Sequence, residues 1–461
     1  MIESTETLSP TAEDPALRRS PGTPYQRILD TDTRPVPPVL RLEKPVYYGS
    51  ADIPVDRYID RSFHEREKER IWKKVWQIAT REENIPNVGD VDLYEVAGIS
   101  IIVVRVAPDS IKAYYNVCLH QGRALVDRPC NVSELRCQFH GFSWGLDGKN
   151  RRICGQWDYP QIDKRRFNLG EVRVGTWGGF VFVNMDPDAG SLESYLGDLD
   201  MHFERYPLDR RFTAARVAKV MRGNWKTAQE AFMESFHTIA THPQILAGTG
   251  EDNTQYDGFE NYARAVSPTG VPSPNLRWKP TEEQIAEASF NTEDPTSGRG
   301  QRVPDGMSFR ARGAQMARER LRPVVGDGID ALCDAELMDS FYFTVFPNFH
   351  PWAAYNHIAY RFLPYEDEHE MCVMETWLLA PYKGERPPAA PLRRLGPDDS
   401  YLQALELGTL ARIFHQDEAN IPRVQKGMHS LRMFKPGVTL GVYQYGKIRH
   451  FHRLYDRYMG L

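Results

Sequence analysis

The chain has 461 residues, of which 41% are hydrophobic and 26% are charged, an ordinary composition for a soluble globular protein of two or three domains. The formal net charge is −5, and the basic residues are scattered, which argues against a nucleic-acid-binding surface. No apolar run is long enough to cross a bilayer, and the acidic N-terminus lacks the features of a secretory signal. We therefore expect a cytoplasmic protein that binds neither nucleic acid nor membrane.

The N-terminal third divides into three regions by composition. Residues 1–45 are rich in Pro, Thr, Asp and Glu, which predicts a mobile tail. Residues 46–82 space Phe63, Ile71 and Trp76 among many charges, which predicts an N-terminal helical segment. From 83 to 185, short β-branched runs such as 100–106 and 178–183 alternate with turn residues, which is typical of a small antiparallel β domain.

The remainder, residues 186–461, has the pattern of a larger mixed domain. A helix is predicted over 224–242, where Pro243 stops it. Residues 248–335 are rich in Gly, Pro and charge, which predicts an irregular insert that covers a substrate, with short helices at 281–288 and 310–322. The last predicted elements are strands at 341–346, 357–362 and 371–379, a long helix near 400–430 and a final strand near 438–445.

Two of the six cysteines are followed by a histidine within three residues, as Cys118-Leu-His120 and Cys137-Gln-Phe-His140. This spacing indicates metal ligands in a reducing compartment rather than disulfides. Two thiolates and two imidazoles can hold one structural zinc or a [2Fe–2S] cluster in which two histidines replace two cysteines on one iron. One cysteine and one histidine in each loop favours the cluster, because the loops can then clamp it from two sides.

The segments CLHQGRAL and CQFHGFSWGLDGK resemble the two cluster-binding loops of Rieske proteins. The resemblance implies that Cys118, His120, Cys137 and His140 hold a [2Fe–2S] Rieske cluster. Gln121 departs from the pattern of the Rieske oxygenases, which usually have a basic residue at that place.

A cluster of this kind only transfers electrons, so the larger domain needs a second purpose. Non-haem Fe(II) oxygenases bind iron with two histidines and one carboxylate. His237 and His242 are five residues apart, about 140° on a regular helix, so both reach one iron only if the helix widens or breaks. Glu234 lies three residues before His237, where it can accept a hydrogen bond from the ring and set its tautomer. Two histidines on one helix are, on their own, more often surface or core residues.

A longer motif resembles the signature of the catalytic (alpha) subunits of Rieske non-haem iron oxygenases, the ring-hydroxylating oxygenase family. It consists of Asn224-Trp225-Lys226, Glu230, Glu234, His237 and His242-Pro243. The resemblance implies that His237 and His242 bind a mononuclear iron, and that Glu234 bridges to a cluster-ligand histidine of a neighbouring subunit.

Two positions of this motif lack the polar residue that is usual in the family. Ala231 stands in place of Asn, and Phe236 in place of Tyr. Both changes favour an apolar substrate. Ala231, Phe232 and Phe236 are therefore candidates to line the substrate pocket, although core packing explains them equally well.

The third iron ligand is expected from the C-terminal part of the chain. Residues 414–428 resemble the helix of the family that supplies a carboxylate, which implies Asp417 as the ligand. Glu418 is the alternative ligand if the register differs by one residue. The other alternative is that Asp417 is a solvated acid and binds no metal. Asp417, Ile421 and Val424 share one helix face, so the acid would emerge from a buried stripe.

The resemblance also implies a fold and a set of partners. The expected fold is α+β: a small antiparallel β Rieske domain, and a larger catalytic domain whose antiparallel sheet packs against helices in a helix-grip-like arrangement. Each subunit of a head-to-tail homotrimer would hold one cluster and one Fe(II). Electrons would come from NAD(P)H through a separate flavin reductase, with or without a ferredoxin, since the chain has no G-x-G-x-x-G unit.

Three functions fit this set of motifs. The first is a terminal oxygenase that uses O2 to hydroxylate an apolar aromatic or alicyclic compound. The second is a Rieske monooxygenase that removes N- or O-methyl groups or cleaves a quaternary ammonium compound, with which Glu at position 234 is compatible. The third is an electron-transfer protein without a working iron, against which the set His237, His242 and Asp417 argues.

Overall fold

A computed structural model describes residues 20, 22–45, 47–290 and 303–461 of the chain. Within these residues, a small domain of antiparallel strands adjoins a larger domain in which helices pack on an eight-stranded sheet. The predicted α+β class is therefore confirmed. No helix in the described ranges combines the length and the apolar character that a bilayer crossing requires.

The segment 22–45 is packed against the larger domain, in contrast to the predicted mobile tail. It forms two short helices, α1 (Tyr25–Leu29) and α2 (Pro38–Arg41). Tyr25, Leu29 and Leu40 are buried in one cluster with residues of the large sheet. The segment contains few apolar residues, but the fold buries several of them, so composition alone is misleading. Residues 1–19 and 21, the rest of the predicted tail, lie outside the described residues.

An ion network also ties this segment to the larger domain. The Arg310 guanidinium donates to Asp32 at 3.0 Å and to Asp339 at 2.5 Å, and all three side chains are buried. The Tyr25 hydroxyl donates to the other oxygen of Asp339 at 2.7 Å. One acid of the segment, Asp32, is therefore paired in the interior rather than exposed to solvent.

Replacing Arg310 by methionine is expected to lower the free energy of unfolding by about 3–5 kcal/mol, because two buried carboxylates lose their counter-charge. Urea unfolding of the purified protein measures the change. Arg27→Met is the matched control, since Arg27 also faces an aspartate, Asp30, but is 78% exposed; it should cost less than about 0.5 kcal/mol. Equal losses for the two variants would contradict the structural role of the network.

The region 46–82 is helical only as far as residue 72. It contains β1 (Ile53–Pro54), α3 (Asp56–Ile59), α4 (Arg61–Glu67) and a π-helical turn at Lys68–Trp72. The next element, β2 (Gln77–Arg81), pairs with a strand of the small domain. The sheet of that domain therefore begins before residue 83.

The small domain is built from two antiparallel sheets. Its further strands are β3 (Asp90–Val96), β4 (Ile99–Ala107), β5 (Ser110–Tyr115), β6 (Cys130–Asn131), β7 (Leu135–Arg136), β8 (Ser143–Trp144), β9 (Asn150–Arg152), β10 (Glu171–Trp177) and β11 (Phe180–Asn184). One sheet has the order β2-β11-β10-β5-β4-β3-β6, and the other β7-β8-β9. Cys118 and His120 follow β5, while Cys137 and His140 lie between β7 and β8.

In the larger domain, helices pack around one long sheet. Its elements are α5 (Leu192–Leu196), β12 (Arg211–Met221), α6 (Trp225–Glu230), α7 (Thr238–Thr241), β13 (Gln255–Gly258), β14 (Tyr262–Ser267), α8 (Glu282–Phe290), α9 (Phe309–Val325), α10 (Ala335–Met338), β15 (Ser340–Val345), β16 (Phe349–Pro351), β17 (Ile358–Tyr365), β18 (Glu368–Pro381), β19 (Leu392–Leu395), α11 (Leu410–Leu431), β20 (Gly437–Val438) and α12 (Gly446–Met459). The sheet order is β13-β14-β15-β16-β17-β18-β12-β19, antiparallel except for the pair β12–β19. α6, α11 and α12 share one buried cluster with β17 and β18.

The prediction of an irregular insert at 248–335 is wrong for much of its length. β13 and β14 are strands of the main sheet, and α8 and α9 are helices close to the predicted positions. The strands escaped detection because their interior carries charge: Arg264 pairs with Asp257 at 2.6 Å, and both side chains are 1% exposed. Residues 291–302 of the predicted insert lie outside the described residues.

The C-terminal elements also differ from the prediction. The long helix begins at Leu410, and the predicted final strand is the two-residue β20, which pairs with β1. The helix α12 was not predicted, although its apolar residues Ile448, Phe451, Tyr455 and Met459 recur at helical spacing. It also buries polar side chains, among them Lys447 and Arg449.

Candidate metal centres

The two Cys/His loops of the small domain have equivalent backbones. The Cys118 N–H donates to the Arg123 carbonyl at 2.7 Å, and the Gly122 N–H donates to the Cys118 carbonyl at 2.9 Å. In the second loop, Cys137, Gly141 and Phe142 make the same two bonds, at 2.8 and 3.0 Å. Both glycines have positive φ, +80° and +77°, which explains why glycine stands four residues after each cysteine.

The two thiols face each other inside the domain, where Cys118 and Cys137 are each 2% exposed. Burial raises the pKa of the Cys137 thiol, but the backbone N–H groups of Phe139 and His140 point at its sulfur, and the net pKa is lowered. Hydrogen bonds to sulfur also tune the potential of an iron–sulfur cluster. The arrangement suits a pair of thiolate ligands.

The two histidines stand side by side, with ring centroids 4.8 Å apart. The ring of His120 is stacked on Phe142, and its Nε2 lies 3.2 Å from the hydroxyl of Tyr159. His140 is exposed and contacts the ring of Phe139. Paired thiols and paired imidazoles fit a [2Fe–2S] cluster with sulfur ligands on one iron and nitrogen ligands on the other. Tyr159 was not predicted, because no spacing rule marks it.

The second candidate centre follows β12, where the predicted helix over 224–242 is interrupted. α6 ends at Glu230, and the one-turn helix α7 has His237 as its N-cap and His242 as its C-cap. The prediction of one continuous helix is therefore wrong, whereas the break that both histidines require is present.

His237, His242 and Asp417 converge in this part of the larger domain. Asp417 Oδ1 lies 2.9 Å from His242 Nε2 and 3.5 Å from His237 Nε2, and the three ligand atoms lie within 4.8 Å of one another. Asp417 is 4% exposed and Ile421 2%, so the acid emerges from a buried stripe as predicted, but Val424 is exposed. Two histidines and one carboxylate in this arrangement fit a non-haem Fe(II) site with open coordination positions.

Glu234 contacts His237 through both carboxylate oxygens. Oε1 lies 2.8 Å from His237 Nδ1, and Oε2 accepts from the backbone N–H of the same residue at 3.1 Å. Burial alone would lower the pKa of His237, but Glu234 and Asp417 raise it to about 10. The position therefore stabilises positive charge strongly, as a cation-binding site requires. With Oε1 as the acceptor, Nδ1 carries the proton and Nε2 is directed to the metal side.

The neighbours of Asp417 on α11 have separate roles. Glu418 pairs with the buried Lys219 at 2.6 Å, so it does not share the position of Asp417. The side chain oxygen of Gln416 lies 3.0 Å from His242 Nδ1, where it accepts a hydrogen bond and leaves Nε2 free for a metal. Gln416 was not predicted as a functional residue; its place beside the expected ligand was the one available signal.

Of the three predicted pocket residues, Phe232 has the strongest contacts with the interior. Its ring lies 5.5 Å from that of Tyr360 and 5.7 Å from that of Phe414. Phe236 is 38% exposed and approaches Tyr445, and Ala231 is half-buried.

Both candidate metal centres lie in parts of the chain that match known protein families. Residues 75–160 match the Rieske [2Fe-2S] domain, and residues 201–461 match the ring hydroxylating alpha subunit (catalytic domain). The second match alone covers more than half of the chain.

Curated relatives include oxygenase subunits of different reaction types. The carnitine monooxygenase oxygenase subunit of Escherichia coli (strain K12) is 31% identical over 45% of this chain and 55% of its own length. The 2-aminobenzenesulfonate 2,3-dioxygenase subunit alpha of Alcaligenes sp is 31% identical over 39% of this chain and 47% of its own length. The matched part of the chain thus spans about half the length of these relatives.

Solved structures share the fold. The quaternary ammonium Rieske monooxygenase CntA in complex with L-carnitine has a TM-score of 0.62 and 18% identity, over 89% of this chain and 97% of its own. Naphthalene 1,2-dioxygenase from Rhodococcus sp. has a TM-score of 0.60 and 19% identity, over 88% of this chain and 94% of its own.

Proposed function

The chain belongs to the ring hydroxylating alpha-subunit family, and we propose that it is the terminal oxygenase component of a Rieske non-haem iron oxygenase system. The observation that carries the proposal is the convergence of His237, His242 and Asp417 in a chain that also holds paired Cys/His loops. The substrate is an aromatic or alicyclic small molecule that is hydroxylated with O2.

The residues of the two centres have distinct tasks in this proposal. Cys118, Cys137, His120 and His140 hold the cluster, and His237, His242 and Asp417 hold the iron. When bound, the cluster supplies single electrons, and the mononuclear Fe(II) supplies O2 activation at a C–H or C=C bond. Glu234 and Gln416 fix the ring orientation and the Nδ1 proton of the two iron-site histidines.

We also propose the assembly and partners of the chain. His120 is engaged by Tyr159, whereas His140 is exposed, so His140 is the cluster ligand that a second subunit can approach. This supports a head-to-tail homotrimer in which Glu234 bridges from the iron site of one subunit to the cluster of the next. A separate flavin reductase, with or without a ferredoxin, supplies electrons from NAD(P)H in the cytoplasm.

A monooxygenase that removes methyl groups or cleaves quaternary ammonium compounds is the second candidate. Its support is the similarity to the carnitine monooxygenase oxygenase subunit and to a glycine betaine monooxygenase oxygenase subunit. The two candidates differ in product: a ring or alicyclic hydroxyl group in the first, and a lost methyl group or a cleaved C–N bond in the second.

The proposed function is tested with labelled O2. The purified protein, a surrogate reductase and NADH are expected to place ¹⁸O in the product of an aromatic or alicyclic substrate, and Cys118→Ser should abolish the incorporation because the cluster loses a ligand. Mass spectrometry of the products separates hydroxylation from demethylation. A protein with both centres filled that places no ¹⁸O in any substrate or released fragment would contradict the proposal.

A further inference from the structure

Lys447 of α12 is buried without a carboxylate in contact with its amine. Three lysines are fully buried among the residues that the structure describes, and two of them are paired: Lys226 with Glu67, and Lys219 with Glu418. For Lys447, which is 1% exposed, no carboxylate of the described ranges lies within 4.0 Å. Its ammonium donates to the Tyr342 carbonyl at 3.1 Å and lies 4.1 Å from the centre of the Tyr342 ring. An uncompensated buried ammonium is costly unless a ligand completes it.

A second buried donor lies near this lysine. The Gln229 oxygen lies 3.3 Å from His350 Nε2, and the other ring nitrogen of His350 lies 3.0 Å from the hydroxyl of Thr344. The amide nitrogen of Gln229 is buried and has no hydrogen-bond partner among the residues that the structure describes. The ring of His350 lies 5.2 Å from that of Tyr360, and Tyr360 is joined through Trp352 to Tyr342, so the two donors belong to one region. Buried donors are normally hydrogen-bonded, so the Lys447 amine and the Gln229 amide nitrogen both require an acceptor.

This region adjoins the segment that carries the iron-site histidines. The Tyr342 hydroxyl lies 3.3 Å from the Ser267 hydroxyl, and the Tyr342 side chain also contacts Tyr256 and Ser235. Ser235 directly follows Glu234, the partner of His237, and Glu234 acts electrostatically on Lys447. The lysine therefore faces the inner side of the iron-binding segment.

A row of aromatic rings connects Lys447 with the iron site. Tyr342 is stacked with Trp352 at 5.3 Å, and Trp352 lies 6.3 Å from Tyr360. Tyr360 then contacts Phe232, which contacts Phe414. Phe414 is three residues before Asp417 on α11, so the row ends beside the iron ligand. A ligand with an apolar body and an anionic end would match these rings and the buried amine beside Tyr342.

We propose that Lys447 and Gln229 bind the acid group of the substrate, a carboxylate or sulfonate, while the aromatic row contacts its ring. The substrate class is thus an aromatic or alicyclic acid whose reacting carbon lies toward His237, His242 and Asp417. The inference rests on the proposed function and names its substrate class. A quaternary ammonium group at the same place could accept no hydrogen bond from Lys447 or Gln229.

The charge state of Lys447 agrees with such a role. Burial lowers its pKa well below the usual value, and Glu234 opposes this shift only in part. A bound carboxylate would stabilise the ammonium form. Burial and the nearby Lys447 also hold the pKa of His350 well below its usual value, so His350 does not supply a second positive charge.

Equilibrium binding without a reductase tests the inference. The probes are benzoate, cyclohexanecarboxylate, 3-phenylpropionate and benzenesulfonate, each compared with its uncharged amide by calorimetry on the protein with both metal centres filled. At least one anion should bind the wild type about tenfold or more tightly than its amide. Lys447→Met should abolish this preference and leave amide binding within about twofold, whereas Lys447→Arg should retain it.

Lys435→Met is the control, because it removes the same charge from a lysine that pairs with Asp52 on the surface. It should leave the anion preference unchanged. The inference is overturned if no anion binds the wild type more tightly than its amide, or if Lys447→Met keeps the preference. If Lys447→Met fails to fold, the comparison of each anion with its amide in the wild type still tests the inference. Anion binding without incorporation of ¹⁸O would instead contradict the proposed function alone.

Discussion

Replacing Asp417 by asparagine is expected to remove the mononuclear iron and leave the cluster in place. Asp417 contacts both His237 and His242, at 3.5 and 2.9 Å, and it is buried. Asparagine keeps the shape but loses the negative charge that a divalent ion requires in a buried site. Since loss of an outer partner already costs 10–100-fold in metal affinity, turnover should fall by about 10³-fold or more.

Iron analysis and the EPR spectrum of the reduced cluster measure this outcome. The iron content should fall from about three atoms to about two per chain, with the cluster signal unchanged. Glu418→Gln is the matched control on the same helix, because Glu418 pairs with Lys219 instead. Full iron content in Asp417→Asn, or loss of the iron in Glu418→Gln, would show that the ligand assignment is wrong.

Glu234→Gln is expected to keep both metal centres and slow electron delivery by about 10–100-fold. The Glu234 carboxylate accepts hydrogen bonds from the ring and from the backbone N–H of His237. Glutamine keeps one acceptor oxygen but loses the negative charge. The measurement is the single-turnover rate, followed through re-oxidation of the reduced cluster with substrate and O2. Glu370→Gln is the control, since Glu370 accepts from His429 at 2.6 Å in a His–Glu pair that is half-exposed.

An unchanged single-turnover rate in Glu234→Gln would exclude the bridge.

A mixing experiment then examines the route between subunits. In the proposed assignment, Cys118→Ser chains lack a cluster ligand and Asp417→Asn chains lack an iron ligand, so each is expected to be inactive alone. If electrons pass from one subunit to the next, mixed oligomers should regain turnover; if the mixture stays inactive, the route lies within one chain.

Most of the candidate site residues could be proposed from the sequence because their signals are local. Cys118, His120, Cys137 and His140 lie in two short loops, where spacing alone suggests a shared cluster. The pair His237 and His242 needed the resemblance, since its helical spacing argues against a common metal. Asp417 lies far away in the chain, and only the folded sheet and α11 bring it to the histidines.

Two parts of the fold that escaped prediction share one physical cause, which is polar residues in buried positions. The strands β13 and β14 bury the pair Asp257 and Arg264, and segment 22–45 buries Asp32 against Arg310. Hydrophobic periodicity assumes that charges face solvent, so it cannot detect such elements. Lys447 escaped for the same reason.

The short helix α7 has a consequence for the variation that this site can accept. Its turn is closed by hydrogen bonds from Thr241 to His237 and from His242 to Thr238, at 2.9 and 3.1 Å. Inserting or deleting one residue would turn one histidine by about 100° around the helix axis relative to the other. Homologous chains that keep the iron should therefore vary in the identity of the four intervening residues, but not in their number.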